Sequence, residues 1–226
     1  MSEAHLEAAI WDMDGVIADT VEYHYLAWKE EFAKKDIDYT MEHFLRFFGQ
    51  RNDTIIKDAL GEGTAPAEMG AINDAKQANF RRRVAGHVRA LPGAIELIRA
   101  LKEHGVKQAI ASSAPPENIK IITRTLNVDG FFQAVVFGHE VPEGKPSPQI
   151  YLLAAQKLGV RPADCVVFED AIAGVAGARN AGMKCVAVAT SHPETRLKQA
   201  DLVVDTLEKV RFTDLTALFS RSRTKK

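Results

Sequence analysis

The feature that most constrains this chain is an alternation of short, β-rich apolar runs with amphipathic helical stretches. The runs are Ala9-Ile10-Trp11, Gln108 to Ala111, Ala134 to Phe137, Val166 to Phe168, Val186 to Ala189 and Leu202 to Val204. The stretches between them are cleanly punctuated. One opens at Leu91-Pro92-Gly93 and stops at Gly105; another opens at Ser147-Pro148 and stops at Gly159; a third runs from Ala171 to Ala181 and stops at Gly182. Proline at a helix start and glycine just past its end is the expected asymmetry. Strand alternating with helix predicts an α/β fold with a doubly wound parallel sheet, covered on both faces.

Residues 21–88 break this rhythm. Tyr23, Leu26, Ala27 and Phe32 mark one helix, Ile55, Ile56, Ala59 and Leu60 a second, and a long polar helix spans Glu68 to Val84. No strand is evident there. The expected organisation is an α/β core from residues 1–20 and 89–226, with a small helical domain of residues 21–88 inserted after the first strand.

At 226 residues the chain can build one large core plus a small second module. Lys+Arg (29) nearly balances Asp+Glu (30), which argues against a nucleic-acid partner. The basic end, Arg221 to Lys226, reads as a solvated tail. No apolar run approaches the length of a membrane span, and the first residues lack the apolar stretch of a signal peptide. The two cysteines, Cys165 and Cys185, lie inside apolar runs and read as buried free thiols. A cytoplasmic location and a monomeric state are the default expectations.

Four places carry candidate chemistry. The first strand runs into Asp12-Met13-Asp14-Gly15. An Asp-Gly pair also suits a plain turn, yet two carboxylates leaving a buried strand repel each other unless a cation intervenes. Oxygen ligands alone point to a hard ion such as Mg2+. Glu169-Asp170 follows a second apolar strand, where Asp170 could equally cap a helix. Active sites of doubly wound sheets gather at the carboxyl ends of strands, where both acidic pairs fall. Lys145, in Gly144-Lys145-Pro146, is either a solvated charge or a phosphate ligand on the same rim. It is not a P-loop lysine: five residues separate Gly138 from Gly144, and Pro146 replaces the required hydroxyl residue. Ser112 and Ser113 end the second sheet strand, as phosphate donors or as the start of a loop. Gly174 and Gly177 are expected to let a helix approach the sheet. The seven histidines show no metal-binding spacing, and no Ser-His-Asp pattern competes.

Taken together, Asp-x-Asp-Gly, Ser, Lys-Pro and Glu-Asp after successive strands resemble the haloacid dehalogenase superfamily of phosphatases and phosphomutases. The runs Asp12-Met13-Asp14-Gly15-Val16-Ile17, Asp19-Thr20, Tyr23-His24, Gly144-Lys145-Pro146-Ser147-Pro148 and Phe168-Glu169-Asp170-Ala171-Ile172-Ala173-Gly174 are most similar to its β-phosphoglucomutase-like branch. The resemblance implies that Asp12 is the nucleophile and Asp14 the general acid and base. It implies that Ser112 and Lys145 hold phosphate oxygens. For Mg2+ it implies carboxylates from Asp12 and Asp170, a backbone carbonyl from Asp14, and Glu169 acting directly or through water. The insert becomes a cap, in which His24 couples closure to Asp14, Lys76 sits beside it, and Trp28 faces the substrate. Gly49-Gln50-Arg51-Asn52 becomes the cap loop that faces the substrate, and Ser113 is a further candidate for substrate binding.

Two departures argue for hydrolysis rather than phosphate migration. The mutase's cap arginine comes three residues after the glycine, whereas Arg51 comes two after Gly49. The mutase reads Ser-Ala-Ser-Lys-Asn after its second sheet strand, to grip a second phosphate. Here the run is Ser112-Ser113-Ala114-Pro115-Pro116, and Ala and Pro side chains donate no hydrogen bonds. The expected partner is a small phosphorylated metabolite, such as a sugar phosphate, hydrolysed with Mg2+. The alternative is a β-phosphoglucomutase-type mutase. A receiver-like phosphoacceptor domain fits less well, because its aspartate would follow the third strand and need no cap. An idle binding module would have no reason to crowd four carboxylates together.

Overall fold

The computed structural model describes residues 5–220, so the basic run from Arg221 to Lys226 lies outside the described residues. Six strands form one parallel sheet: β1 (Ala8–Trp11), β2 (Lys107–Ser112), β3 (Ala134–Phe137), β4 (Cys165–Glu169), β5 (Lys184–Val188) and β6 (Leu202–Val204), in the order β3-β2-β1-β4-β5-β6. The chain winds outward from β1 on one side, then crosses to β4 on the other. The switch point therefore lies between β1 and β4, where open α/β sheets bind ligands.

Strand alternation explains the two faces. Ala9, Trp11, Val166 and Phe168 point into one apolar layer, which includes Leu97, Ile98 and Leu101 of α5 (Ala94–Glu103) and Leu215 and Leu218 of α9 (Phe212–Ser220). α6 (Pro116–Thr125) joins that side through Ile119 and Ile122. Ala8, Ile10, Cys165 and Val167 point the other way, onto Ile150, Ala154 and Leu158 of α7 (Gln149–Leu158) and Val175 and Ala178 of α8 (Ile172–Asn180). Every residue of β1 and β4 is buried. This two-sided burial is why those runs read as continuously apolar. Trp11 stacks on Phe168 across the two strands, with centroids 4.0 Å apart. Both cysteines are buried and unbridged.

Between β1 and α5 the chain forms α1 (Val21–Ala33), α2 (Met41–Phe47), α3 (Asn52–Leu60) and α4 (Pro66–Val84). These helices hold their own apolar cluster of Trp28, Phe32, Tyr39, Phe44, Phe48, Ile55, Ile56 and Ile72. Their roots are continuous with the sheet, because Ala27, Phe80 and Val84 belong to the large layer. The helix α2 was not evident in the sequence. Its seven residues are too few for periodicity to stand out, and its clearest local signal is Thr40, whose hydroxyl accepts the His43 N–H at 3.1 Å. No helix among the described residues is long and apolar enough to cross a membrane.

Candidate active site

The loop after β1 places two acids by burying what lies between them. Met13 is fully buried, and its carbonyl accepts from Ile17 N and Ala18 N at 3.0 Å each. Asp12 N–H continues the ladder to Phe168 O at 3.0 Å, which sets Asp12 beside Glu169. Gly15 turns the chain at φ +84°, and a Cβ there would lie 2.0 Å from Asp170 Oδ2. Only glycine meets both demands.

Asp12, Glu169 and Asp170 each offer a carboxylate oxygen within 4.8 Å of the others, and all three are buried. Lys145 Nζ, fully buried, reaches Asp12 Oδ1 and Glu169 Oε1 at 2.5 Å each. Glu169 is saturated. Its Oε1 also accepts from the Tyr151 hydroxyl at 2.6 Å, and its Oε2 accepts from Asp170 N and Ala171 N at 3.0 and 3.1 Å. Asp170 is not: Oδ2 accepts from the Ser191 hydroxyl, while the buried Oδ1 has no partner among the described residues. An orphaned buried carboxylate oxygen is costly.

The electrostatics tell the same story. Burial pushes the Asp12 carboxyl up to about 8; Lys145 pulls against this, while Glu169 and Asp14 add to it. Burial, then the charges of Glu169 and Asp12, hold Asp170 well above the usual carboxylate range. Burial lowers the Lys145 ammonium, but Asp12 and Glu169 outweigh it and leave it raised. One lysine does not balance three buried acids. A divalent cation between Asp12 and Asp170 would remove the repulsion and satisfy Asp170 Oδ1, so the residues present fit Mg2+.

Asp14 stands apart from this group. Its Oδ1 accepts from the Thr20 hydroxyl at 2.6 Å and lies 3.1 Å from His24 Nε2. Burial works to raise its carboxyl, yet His24, Thr20 and Lys76 hold it below its ordinary value. His24 stacks on Phe80 at 3.8 Å, and its Nδ1 lies 2.8 Å from Lys76 Nζ. Burial, then Lys76, keeps the imidazole pKa low. Lys76 itself is pushed down to about 7 by burial, with Nζ 5.1 Å from the centre of the Trp28 ring.

A small cavity of about 40 Å³ joins these parts. Asp12, Asp14, Ser112, His24, Trp28, Lys76 and Gly49 all line it. Ser112 Oγ accepts from Ala114 N at 3.1 Å, which leaves its proton free to donate. A larger cavity of about 330 Å³ opens outward between the helical insert and the sheet. Asn52 and Ser113 line both cavities, whereas Arg51 lines the outer one alone. Ser113 Oγ donates to Gly49 O at 2.9 Å, and Asn52 Nδ2 donates to Asn73 Oδ1 at 2.8 Å.

This fold and this chain have relatives. The haloacid dehalogenase-like hydrolase family pattern matches residues 6–182. The chain belongs to the haloacid dehalogenase-like hydrolases. A β-phosphoglucomutase of Bacillus subtilis is 35% identical over 206 residues, covering 88% of this chain and 89% of that one. A phosphorylated carbohydrates phosphatase of Thermotoga maritima is 32% identical over 190 residues, covering 79% and 83%. The crystal structure of a Clostridium difficile β-phosphoglucomutase superposes with a TM-score of 0.88 at 26% identity, covering 96% and 98%. This member of the family is thus a phosphoryl-transfer enzyme, a hydrolase or a mutase.

Several residues that shape the site were missed in the sequence. Tyr151 sits in an apolar helix and reads as core. Ser191 carries one signal, its place just after β5 on the same rim. Of the glycines of α8, Gly174 allows the expected approach of helix to sheet, at the side chain of the last β4 residue, and Gly177 faces α7 instead. A Cβ on Gly174 would lie 2.0 Å from the Glu169 carboxyl, and one on Gly177 would lie 3.0 Å from the Tyr151 ring. Gly174 thus lets α8 lie against the acidic side chain that ends β4, whereas Gly177 makes room for α7.

Proposed function

We propose that this protein is a Mg2+-dependent phosphatase of small phosphomonoesters, in particular sugar phosphates, with residues 21–88 acting as a cap over a core of residues 1–20 and 89–226. The observation that carries this reading is the buried triad of Asp12, Glu169 and Asp170, with Lys145 bonded to Asp12 beneath the insert. The carboxylates of Asp12 and Asp170 and the carbonyl of Asp14 would hold the ion; Glu169, with both oxygens occupied, would act on it through water. When bound, Mg2+ neutralises the acids and the phosphoryl oxygens. A cytoplasmic location is the reading favoured by two free, buried thiols.

Asp12 attacks phosphorus and forms an aspartyl-phosphate as the bond to the leaving oxygen breaks. Asp14 gives that oxygen its proton. The pKa of Asp14 is held low here, but a phosphoryl dianion entering the adjoining cavity would raise it, since like charge disfavours ionisation. Asp14 then takes a proton from water, which attacks phosphorus and frees Asp12 and inorganic phosphate. Lys145 and Ser112 steady the phosphoryl oxygens as charge develops. Lys76 and His24 tie the cap to Asp14.

Hydrolysis is favoured over phosphate migration because Ala114 and Pro115 line the outer cavity and present no side-chain donor for a second phosphate. The likeness to β-phosphoglucomutases supports the mutase as the second reading. Incubation with β-glucose 1-phosphate, a trace of the 1,6-bisphosphate and Mg2+ separates the two. Release of inorganic phosphate is expected; glucose 6-phosphate formed without free phosphate would assign the mutase.

A further inference from the structure

One short cap loop, residues 48–51, reaches three of the core loops on the rim: those that carry Ser112, Lys145 and the Glu169-Asp170 pair. Gly49 O accepts from Ser113, after β2. Arg51 Nη1 donates to Val141 O and Pro142 O, after β3, at 3.3 and 3.2 Å. A Cβ on Gly49 would lie 2.7 Å from Ala171 Cβ, after β4. The stem of Arg51 lies where a Cβ on Gly144 would be, 2.8 Å from both Cγ and Cδ. Its other guanidinium nitrogen lies 3.3 Å from Asp53 Oδ2. Arg51 lines the outer cavity, but its charge is directed to two backbone carbonyls and a carboxylate. That carboxylate, Asp53, lines the same cavity as the partner of Arg51, and the remaining polar lining comes from the amides of Asn52, Asn73 and Gln77, the Ser113 hydroxyl and the His139 imidazole.

We propose that Arg51 is a positioning residue: it latches the cap loop onto the backbone just ahead of Lys145. Because it is held there, the outer cavity is left to an uncharged, hydroxyl-bearing part of the substrate. The latch shapes the Lys145 loop through Gly144, so it acts on every substrate, including one too short to enter the outer cavity. The substrate-class half of this inference rests on the phosphatase reading; the latch does not.

The test uses five chains: wild type, Arg51→Ala, Arg51→Lys, Gly144→Ala and the double variant of Arg51→Ala with Gly144→Ala. Each is assayed with a hexose 6-phosphate, the matching 1,6-bisphosphate and acetyl phosphate. Arg51→Ala is expected to lower kcat/KM by roughly ten- to a hundredfold on all three. Wild type is expected to prefer the monophosphate to the bisphosphate. Gly144→Ala is expected to cause a similar loss while Arg51 is present, but little further loss in the Arg51→Ala background, where the clash is gone. Arg51→Lys, with a shorter stem and fewer donors, is expected to recover part of the activity. A loss confined to the bisphosphate, or losses that multiply in the double variant, would overturn the latch. Hydrogen exchange reads the same contact without turnover: Arg51→Ala should speed exchange in residues 48–51 and 139–146. Unchanged exchange sinks the latch even in an active enzyme. Faster exchange in a chain that hydrolyses nothing keeps the latch and sinks the phosphatase reading.

Discussion

The rim of the sheet and the seam beneath the cap are built on opposite principles. At the rim, three buried carboxylates each place an oxygen within 4.8 Å of the others, and one buried ammonium bonds two of them. That crowding is unfavourable without a cation to offset it. At the seam the polar groups are already matched: Arg51 on carbonyls, Ser113 on Gly49, Asn52 on Asn73. The Gln77 amide oxygen likewise accepts from Asn118 Nδ2 at 2.8 Å, which joins α4 to α6. Unsatisfied charge marks where we propose the chemistry, and satisfied polarity marks how the parts are held together.

The sharpest way to break this contrast is Asp12→Asn. The side chain keeps its shape and a hydrogen-bonding oxygen, so the fold is expected to survive. Phosphate release should fall by roughly 10⁴-fold or more, because the nucleophile is gone. Near-normal turnover would remove the rim's claim to the chemistry.

A milder probe is Gly174→Ala. Its Cβ would occupy the space of the Glu169 carboxyl, which must then leave Lys145, Tyr151 or the two N–H groups that hold it. Overpacking of this kind costs about 1–3 kcal/mol. Chemical denaturation should show that loss together with weakened Mg2+ affinity. If stability falls and metal affinity does not, Glu169 has no part in the metal site.

The smallest effect tests the border between the two regions. Lys76 has its pKa pushed down to about 7 by burial, which the charge on Asp14 opposes and the charge on Arg81 reinforces. Between about pH 7 and the unfolded lysine value near 10.5, the unfolded chain holds a proton that the folded chain does not. Lys76 therefore destabilises the fold, fully below pH 7 and progressively less as pH rises through that window. Lys76→Met should raise stability at pH 6 and flatten its rise between pH 7 and 10. Thermal unfolding across pH reads this directly. An unchanged pH profile would mean that the ammonium is paired in the folded chain.

The strands and the acids were legible in the sequence because each is a local pattern. An apolar run buried on both faces is visible as such, and Asp12-x-Asp14 and Glu169-Asp170 leave those runs at their ends. The partners that hold the acids were less legible. Tyr151 lies 18 residues from Glu169, and Ser191 lies 21 from Asp170; neither carries a spacing that sets it apart. Gly174 looks like any helix glycine until the Glu169 side chain is seen in its place. Arg51 shows the limit most clearly. Its position in a cap loop suggests a substrate contact, but the direction of its guanidinium depends on carbonyls about ninety residues away.

Diffraction from crystals soaked with Mn2+, which stands in for Mg2+ and scatters anomalously, would test the central claim most directly. A single anomalous peak is predicted in contact with the carboxylates of Asp12 and Asp170 and the carbonyl of Asp14. A peak away from these residues, or none at the rim at saturating Mn2+, would contradict it.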